Sequence, residues 1–160
     1  MSLALLTTAA LAASGWYFQS AADPLGHAIY VAEMARDADL PQAQLKFSCG
    51  GIIGVELQFN LGQTRFDSAD YSTDDPAWED VRFVFAEGDY PATAKRAPLT
   101  EGVGTYEIKG GDAMFIAKLL KAGGEVTVEH SGQSLRFGLE GAAVPITQVI
   151  EQCPFKYPDQ

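Results

Sequence analysis

The chain has 160 residues, the size of one ordinary domain, and 47% of them are hydrophobic. This apolar content is enough to form a core, which excludes an intrinsically disordered chain. Twenty-one acidic residues against eleven basic residues give a formal charge of −10. That charge disfavours binding to nucleic acid and favours a basic partner protein.

The N-terminal segment resembles a secretory leader. Residues 3–13 form an apolar run of suitable length, and Ala10-Leu11-Ala12 places small residues at the cleavage positions, although no Lys or Arg precedes the run. We predict a signal peptide at residues 1–13, or one extending to residue 22, and a single domain at residues 23–160. The run is shorter than the roughly 20 residues that cross a bilayer, so we expect no stable membrane span. The alternative is a buried N-terminal helix of a cytosolic domain.

Apolar and polar residues alternate along the first half of the domain. Residues 28–34, 44–49 and 55–59 are therefore predicted to be strands, and residues 63–67 a short further strand. In the second of these strands, Cys49 falls on the apolar face. The glycine pair after it permits a bend, so the second and third strands are expected to pair antiparallel.

The middle of the chain is less regular. Residues 80–86 predict a strand, and residues 105–109 predict another. Between them, residues 87–102 contain two prolines and are interpreted as a long, turn-rich excursion.

The last third predicts a helix, a hairpin and a second helix. Asp112 is placed to cap a helix that runs to about residue 122. Residues 126–129 and 135–139 are predicted to form a hairpin around a Ser-Gly turn, with Val128 opposite Leu135 and Val126 opposite Phe137. The final helix carries a stripe of apolar residues at helical spacing, namely Ile146, Val149, Ile150 and Cys153.

The two cysteines, Cys49 and Cys153, are each predicted to face the core, one by strand periodicity and the other by helix periodicity. Inward orientation of both is the precondition for a bridge, so we predict a long-range disulfide rather than a free thiol. A disulfide favours an oxidising compartment, which makes the predicted location periplasmic or secreted. The predicted fold class is α+β: a mainly antiparallel sheet or sandwich with two packed helices and one long-range disulfide.

Acidic residues cluster in one loop, where Asp67, Asp70, Asp74 and Asp75 are weak candidates for metal ligands. Their spacing matches no calcium loop, and two arginines flank the stretch, so a solvated acidic loop is the preferred interpretation. We predict no metal and no cofactor.

His130 lies at the end of a predicted hairpin strand, beside a serine. Adjacent residues on a tight turn do not readily align a nucleophile with its base, so an exposed histidine at the hairpin end is the expected outcome. No catalytic residue is assigned, and the sequence favours a protein that is not an enzyme. Trp78, Tyr71 and Tyr90 fall in predicted loop segments and form a possible binding surface for a protein or a glycan, although capping the edge of the core is the commoner role.

Several short motifs follow one another in a distinctive order along most of the predicted domain: Trp16, Asp23-Pro24, Cys49, Arg65-Phe66-Asp67, Trp78, Phe115, Leu119, the segment 132–137, Gly141 and Cys153. This order resembles a group of small bacterial periplasmic envelope proteins, the type VI secretion accessory factors. The resemblance implies a periplasmic domain closed by a disulfide and a secretion-associated role, and it assigns no catalytic residue.

The leading functional hypothesis is a non-enzymatic accessory domain that binds another protein. One version is an inhibitor of a basic wall-degrading hydrolase. The first alternative is an enzyme whose site combines His130 with carboxylates from distant segments. The second is a carrier of a small ligand or lipid, which requires an apolar cavity.

Overall fold

The computed structural model describes residues 15–34, 43–61, 78–96, 105–130 and 132–157. These residues form nine strands, one 3₁₀ turn at Gly51–Ile53 and two α-helices. The strands are β1 (Trp16–Ala22), β2 (Ala28–Met34), β3 (Ala43–Gly50), β4 (Gly54–Leu61), β5 (Trp78–Phe85), β6 (Gly88–Arg96), β7 (Tyr106–Lys109), β8 (Glu125–His130) and β9 (Gln133–Gly138). The helices are α1 (Gly110–Leu120) and α2 (Ala143–Gln152).

All nine strands of the described ranges belong to one sheet, in the order β1-β2-β3-β4-β7-β6-β5-β8-β9. Every neighbouring pair is antiparallel. The predicted α+β class, with a mainly antiparallel sheet, two helices and a disulfide between Cys49 and Cys153, is confirmed. The last hairpin also has the predicted register, because Val128 pairs with Leu135 and Val126 with Phe137.

The predicted excursion after β5 is wrong over most of its length, because β6 occupies it as a regular strand. Pro91 argues against a central strand when the sequence is considered alone, because proline lacks the backbone N–H that pairing on both sides requires. The structure explains why proline is tolerated: β6 pairs with β7 only at Lys95 and Arg96. At Pro91 the strand therefore has a ladder on one side only, and a residue without an N–H fits there.

Trp16–Ala22, the segment included in the longer predicted leader, forms edge strand β1. A leader ending at residue 22 would remove that strand. The shorter predicted leader and the predicted strand at residues 63–67 lie outside the described residues.

The sheet is strongly curved. Phe59 on β4 and Phe83 on β5 are three strand positions apart, a separation of about 14 Å in a flat sheet. Their ring centroids are nevertheless 5.9 Å apart. The curvature also brings the two edges of the sheet together, because Trp16 on β1 donates a hydrogen bond from Nε1 to the carbonyl of Gly138 on β9 at 3.0 Å.

Both helices pack into the same apolar core as the inner face of the sheet. Helix α1 contacts β4 and β7, and α2 contacts β1, β2 and β3. The helical spacing predicts that Met114, Phe115, Ile116 and Leu119 face the core. Met114 and Ile116 are buried, whereas Phe115 and Leu119 are half-buried and Leu120 is buried instead. The predicted cap at Asp112 is wrong: Lys109 is the N-cap residue, and Asp112 lies in the first turn.

Two tight links fix the end of the sheet formed by the β1–β2 and β3–β4 turns. Asp23 accepts hydrogen bonds from the backbone N–H groups of His27 and Ile52, at 2.9 and 3.1 Å, and so joins the two turns. Gly51 has φ 52°, and a Cβ there would lie 2.6 Å from Asp23 Oδ2, so this position requires glycine. Burial raises the pKa of Asp23, but these donors and the His27 ring together hold it below its ordinary value.

Candidate functional site

A polar network lies on the inner face of the sheet, where β5, β6, β7 and β8 curve toward one another. Arg96 donates from Nε and an NH2 group to both carboxylate oxygens of Glu79, each at 2.8 Å. His130 Nε2 lies 3.4 Å from Glu79 Oε2. The ring of Tyr106 is 4.1 Å from that of His130, centroid to centroid. Four residues from four different strands therefore meet at one point.

The surroundings of this network shift the pKa values of three of its members. The hydrogen bond from Arg96 lowers the pKa of Glu79, against an opposing effect of burial. Burial raises the pKa of Tyr106 to about 12, and the Glu79 carboxylate adds to this shift. Burial lowers the pKa of His130, and Glu79 offsets part of that effect. At neutral pH the network therefore consists of an ionised Glu79–Arg96 pair, a neutral histidine and a protonated tyrosine.

The expectation that His130 is an exposed histidine at the hairpin end is wrong. The residue is 5% exposed, because the curved sheet folds β8 over Phe59 and Tyr106. Within the described residues, one carboxylate, that of Glu79, contacts its ring. Because Arg96 already binds both oxygens of that carboxylate, Glu79 is suited to a structural pair more than to proton transfer.

The opposite face of the same strands forms an open groove of about 810 Å³. Alternation along β5 places Trp78, Asp80 and Arg82 on this outer face, while Glu79 and Val81 point inward. The groove is lined by Asp80, Val81, Arg82, Pro91, Ala92, Thr93, Asp112, Glu129, His130, Gly132, Gln133 and Ser134. Eight of these twelve residues have polar side chains.

Some charged side chains of the groove form ion pairs with each other, and others do not. Arg82 donates from Nε to Glu129 at 2.9 Å and lies 3.4 Å from Asp89, and the Glu129 contact raises the pKa of the guanidinium. Asp80 and Asp112 form no ion pair with any residue of the described ranges. The groove therefore presents two carboxylates that are free to contact a cation.

The disulfide joins Cys49 at the end of β3 to Cys153, which follows α2, with their Cα atoms 5.5 Å apart. It holds the final helix against the first half of the sheet. Both sulfurs are buried, in agreement with the two periodicities that predicted them.

Of the three aromatic residues predicted as a binding surface, the structure describes Trp78 and Tyr90, which lie on opposite faces of the β5–β6 hairpin. Trp78 is 60% exposed at the start of β5. Tyr90 points into the core, where its ring contacts Phe85 and Phe115, because β6 is a strand and not a loop. Tyr71 lies outside the described residues.

The weak metal candidates, Asp67, Asp70, Asp74 and Asp75, also lie outside the described residues. Among the residues that are described, no group of three or more His, Cys, Asp or Glu side chains is arranged to hold a metal ion. In the same part of the chain, no helix is long and apolar enough to cross a membrane.

Sequence reasoning missed the Glu79–Arg96 pair and the role of Asp112 in the groove. The sequence prediction places Arg96 in a loop. In the structure β6 is a strand, and its alternate residues Ala92, Ala94 and Arg96 face the core. Asp112 was interpreted as a cap, which left no reason to place it beside β6. A correct boundary for β6 would have placed Arg96 on the inner face, whereas the position of Asp112 depends on the order of strands in the sheet.

No protein-family model matches the chain, and no match is found among curated proteins or solved structures.

Proposed function

We propose that the protein is a non-enzymatic binding domain located in the periplasm or secreted, and that its partner is a basic protein. The observation that carries the proposal is the contrast between the two faces of β5. On the inner face, Glu79 forms contacts with Arg96 and His130. On the outer face, the ionisable side chains line an open groove. A binding surface needs accessible groups, and of the two faces of β5 it is the outer one that has them.

The charge of the chain supports the choice of partner. A formal charge of −10 accelerates encounter with a cationic protein and orients it. The buried disulfide is consistent with folding in an oxidising compartment. The resemblance to type VI secretion accessory factors would add a secretion-associated role, and inhibition of a basic wall-degrading hydrolase is one form that the proposed binding could take.

The proposal is tested by measuring the association of the purified domain with a basic lysozyme and with an acidic protein of similar size. Binding to the lysozyme is expected, and it should weaken when salt rises from about 50 to about 300 mM, because screening shortens the range of surface charges. Equal binding to both proteins, or no binding to either, would contradict the proposal. Mass spectrometry of the protein from its native host tests the location, because an exported chain should lack its leader and contain no free thiol.

A further inference from the structure

We propose that the groove on the outer face of β5, β6 and β8 is the contact surface, and that it receives an arginine side chain of the basic partner. In this arrangement the guanidinium stacks on the indole of Trp78, which lies beside the groove on the same face of β5, and donates hydrogen bonds to the carboxylate of Asp80. A second basic side chain of the partner contacts Asp112 within the groove. The inference rests on the proposed function and names the site and the chemical group that it recognises.

The first step of the argument is the exposure of Trp78. The chain has two tryptophans, and they differ sharply: Trp16 is 6% exposed and Trp78 is 60% exposed. A tryptophan on the solvent side of a regular strand contributes little to the core. At protein interfaces, in contrast, exposed tryptophans are among the residues that contribute most to binding.

The second step is spacing. Trp78 and Asp80 are alternate residues of β5, so they project from the same face about 7 Å apart. A cation that lies within about 6 Å of an indole ring is attracted to its face. One guanidinium over Trp78 can therefore also reach the carboxylate of Asp80, while its flat shape stacks on the ring.

The third step is the charge of the groove. Three carboxylates line it, those of Asp80, Asp112 and Glu129, against the single guanidinium of Arg82. Arg82 already contacts Glu129 and Asp89, so it offers little charge to an anionic ligand. The groove is therefore negative overall, which favours a cation over a phosphate or a carboxylate.

Lys95 opposes the proposal locally. It lies directly opposite Trp78 in the β5–β6 pairing, so its ammonium group is a neighbour that repels an incoming cation. Removal of that charge should strengthen binding, an effect opposite in sign to the removal of a groove carboxylate. The same substitution at the remote, exposed Lys156 changes the net charge equally, so a larger gain at Lys95 than at Lys156 distinguishes this position from non-specific attraction to the acidic chain.

The test uses a deca-arginine peptide as the probe and measures its dissociation constant by calorimetry and by the fluorescence of Trp78. The double variant D80N/D112N is compared with E87Q/E151Q, which has the same net charge but is changed at an exposed turn and on an exposed position of α2. We expect the groove variant to bind about tenfold more weakly, and the control less than about twofold more weakly. Trp78→Ala should also weaken binding about tenfold, and Lys95→Gln should strengthen it about twofold.

Each outcome bears on a different statement. If D80N/D112N and E87Q/E151Q weaken binding equally, the domain binds cations elsewhere, so the site proposal fails while the proposed function stands. If neither the peptide nor a basic lysozyme binds the unmodified protein, both fail. If a neutral chito-oligosaccharide shifts the fluorescence of Trp78 and the peptide does not, the groove is a glycan site and the proposal is overturned. Thermal unfolding of each variant confirms that it is folded.

Discussion

The two halves of this sheet are held together by different kinds of interaction. The first half, β1 to β4, is fixed by the covalent bond from Cys49 to Cys153 and by the links that Asp23 makes between two turns. The second half, β5 to β9, is fixed on its inner face by a charged network around Glu79. In the first half the hydrogen bonds of Asp23 lie at turns, whereas the second half has a charged network inside the curve of the sheet.

Within the second half, the two faces of β5 are expected to differ in function, one contributing to stability and the other to binding. In the second half, successive residues of one strand have opposite roles, because odd-numbered residues of β5 point into the core and even-numbered residues face the groove. Loss of an inner group should therefore affect folding, and loss of an outer group should affect binding.

The largest effect is expected in the first half. The double substitution C49A/C153A removes a link between residues separated by 104 positions. We expect the free energy of unfolding to fall by about 4 kcal/mol, because a long closed loop restricts the unfolded chain. Urea unfolding followed by circular dichroism measures this loss. A decrease below about 1 kcal/mol would show that packing of α2 suffices to close this half.

The next largest effect is expected from Arg96→Met, which leaves Glu79 charged and partly buried without its partner. We expect a loss of about 3 kcal/mol, and a smaller loss in the double variant E79Q/R96M than the sum of the single losses. Arg82→Met is the matched control, since that arginine contacts the carboxylates of Glu129 and Asp89 but lies on the outer face. Its removal should cost less than about 1 kcal/mol, and equal losses at both positions would remove the distinction between the faces.

Trp16 tests how the edges of the sheet are joined. Trp16→Phe keeps an aromatic ring in the core but removes the hydrogen bond from Nε1 to Gly138. We expect a loss of about 1–2 kcal/mol in urea unfolding, the cost of an unsatisfied buried acceptor. Trp78→Phe should change stability by less than about 0.5 kcal/mol, and a larger loss there would place that indole in the core.

The smallest effect is a pH dependence that arises from His130. Burial lowers the pKa of His130 in the folded protein below its ordinary value of 6.5, so below that pH the unfolded chain binds more protons. Stability should therefore fall as the pH drops from 6.5 toward the folded pKa, and it should be fully present above 6.5. Unfolding measured between about pH 7.5 and 5.0 should show this slope in the wild type and a shallower one in His130→Gln. Identical slopes in both proteins would contradict the assignment.

Much of the fold could be predicted from the sequence, because alternation and helical spacing are local signals. They gave the disulfide, the last hairpin with its register, and the strands that contain Cys49 and Phe59. The strand at Pro91 could not be predicted in this way, since its tolerance depends on how few residues of β6 pair with β7. Curvature is likewise a property of the whole sheet, and it alone buries His130.

The candidate site could be predicted only in part. The sequence predicts Trp78 as a possible binding residue in a loop, whereas the structure places it at the start of β5 beside the groove. Asp112, which lines the groove, comes from a different element with no shared motif. The order of strands, with β7 and β6 placed between β4 and β5, brings α1 beside the groove. No spacing along the chain encodes that juxtaposition.

The most direct test compares two adjacent carboxylates on opposite faces of β5, through Glu79→Gln and Asp80→Asn. Each substitution removes one negative charge from the same strand, so the change in net charge is identical. Measurement of both unfolding free energy and affinity for the deca-arginine peptide should show a crossed result: E79Q loses stability and keeps its affinity, whereas D80N keeps stability and loses affinity. If both variants lose affinity to the same extent, or if D80N is the less stable one, the division of this strand into a structural face and a binding face is wrong.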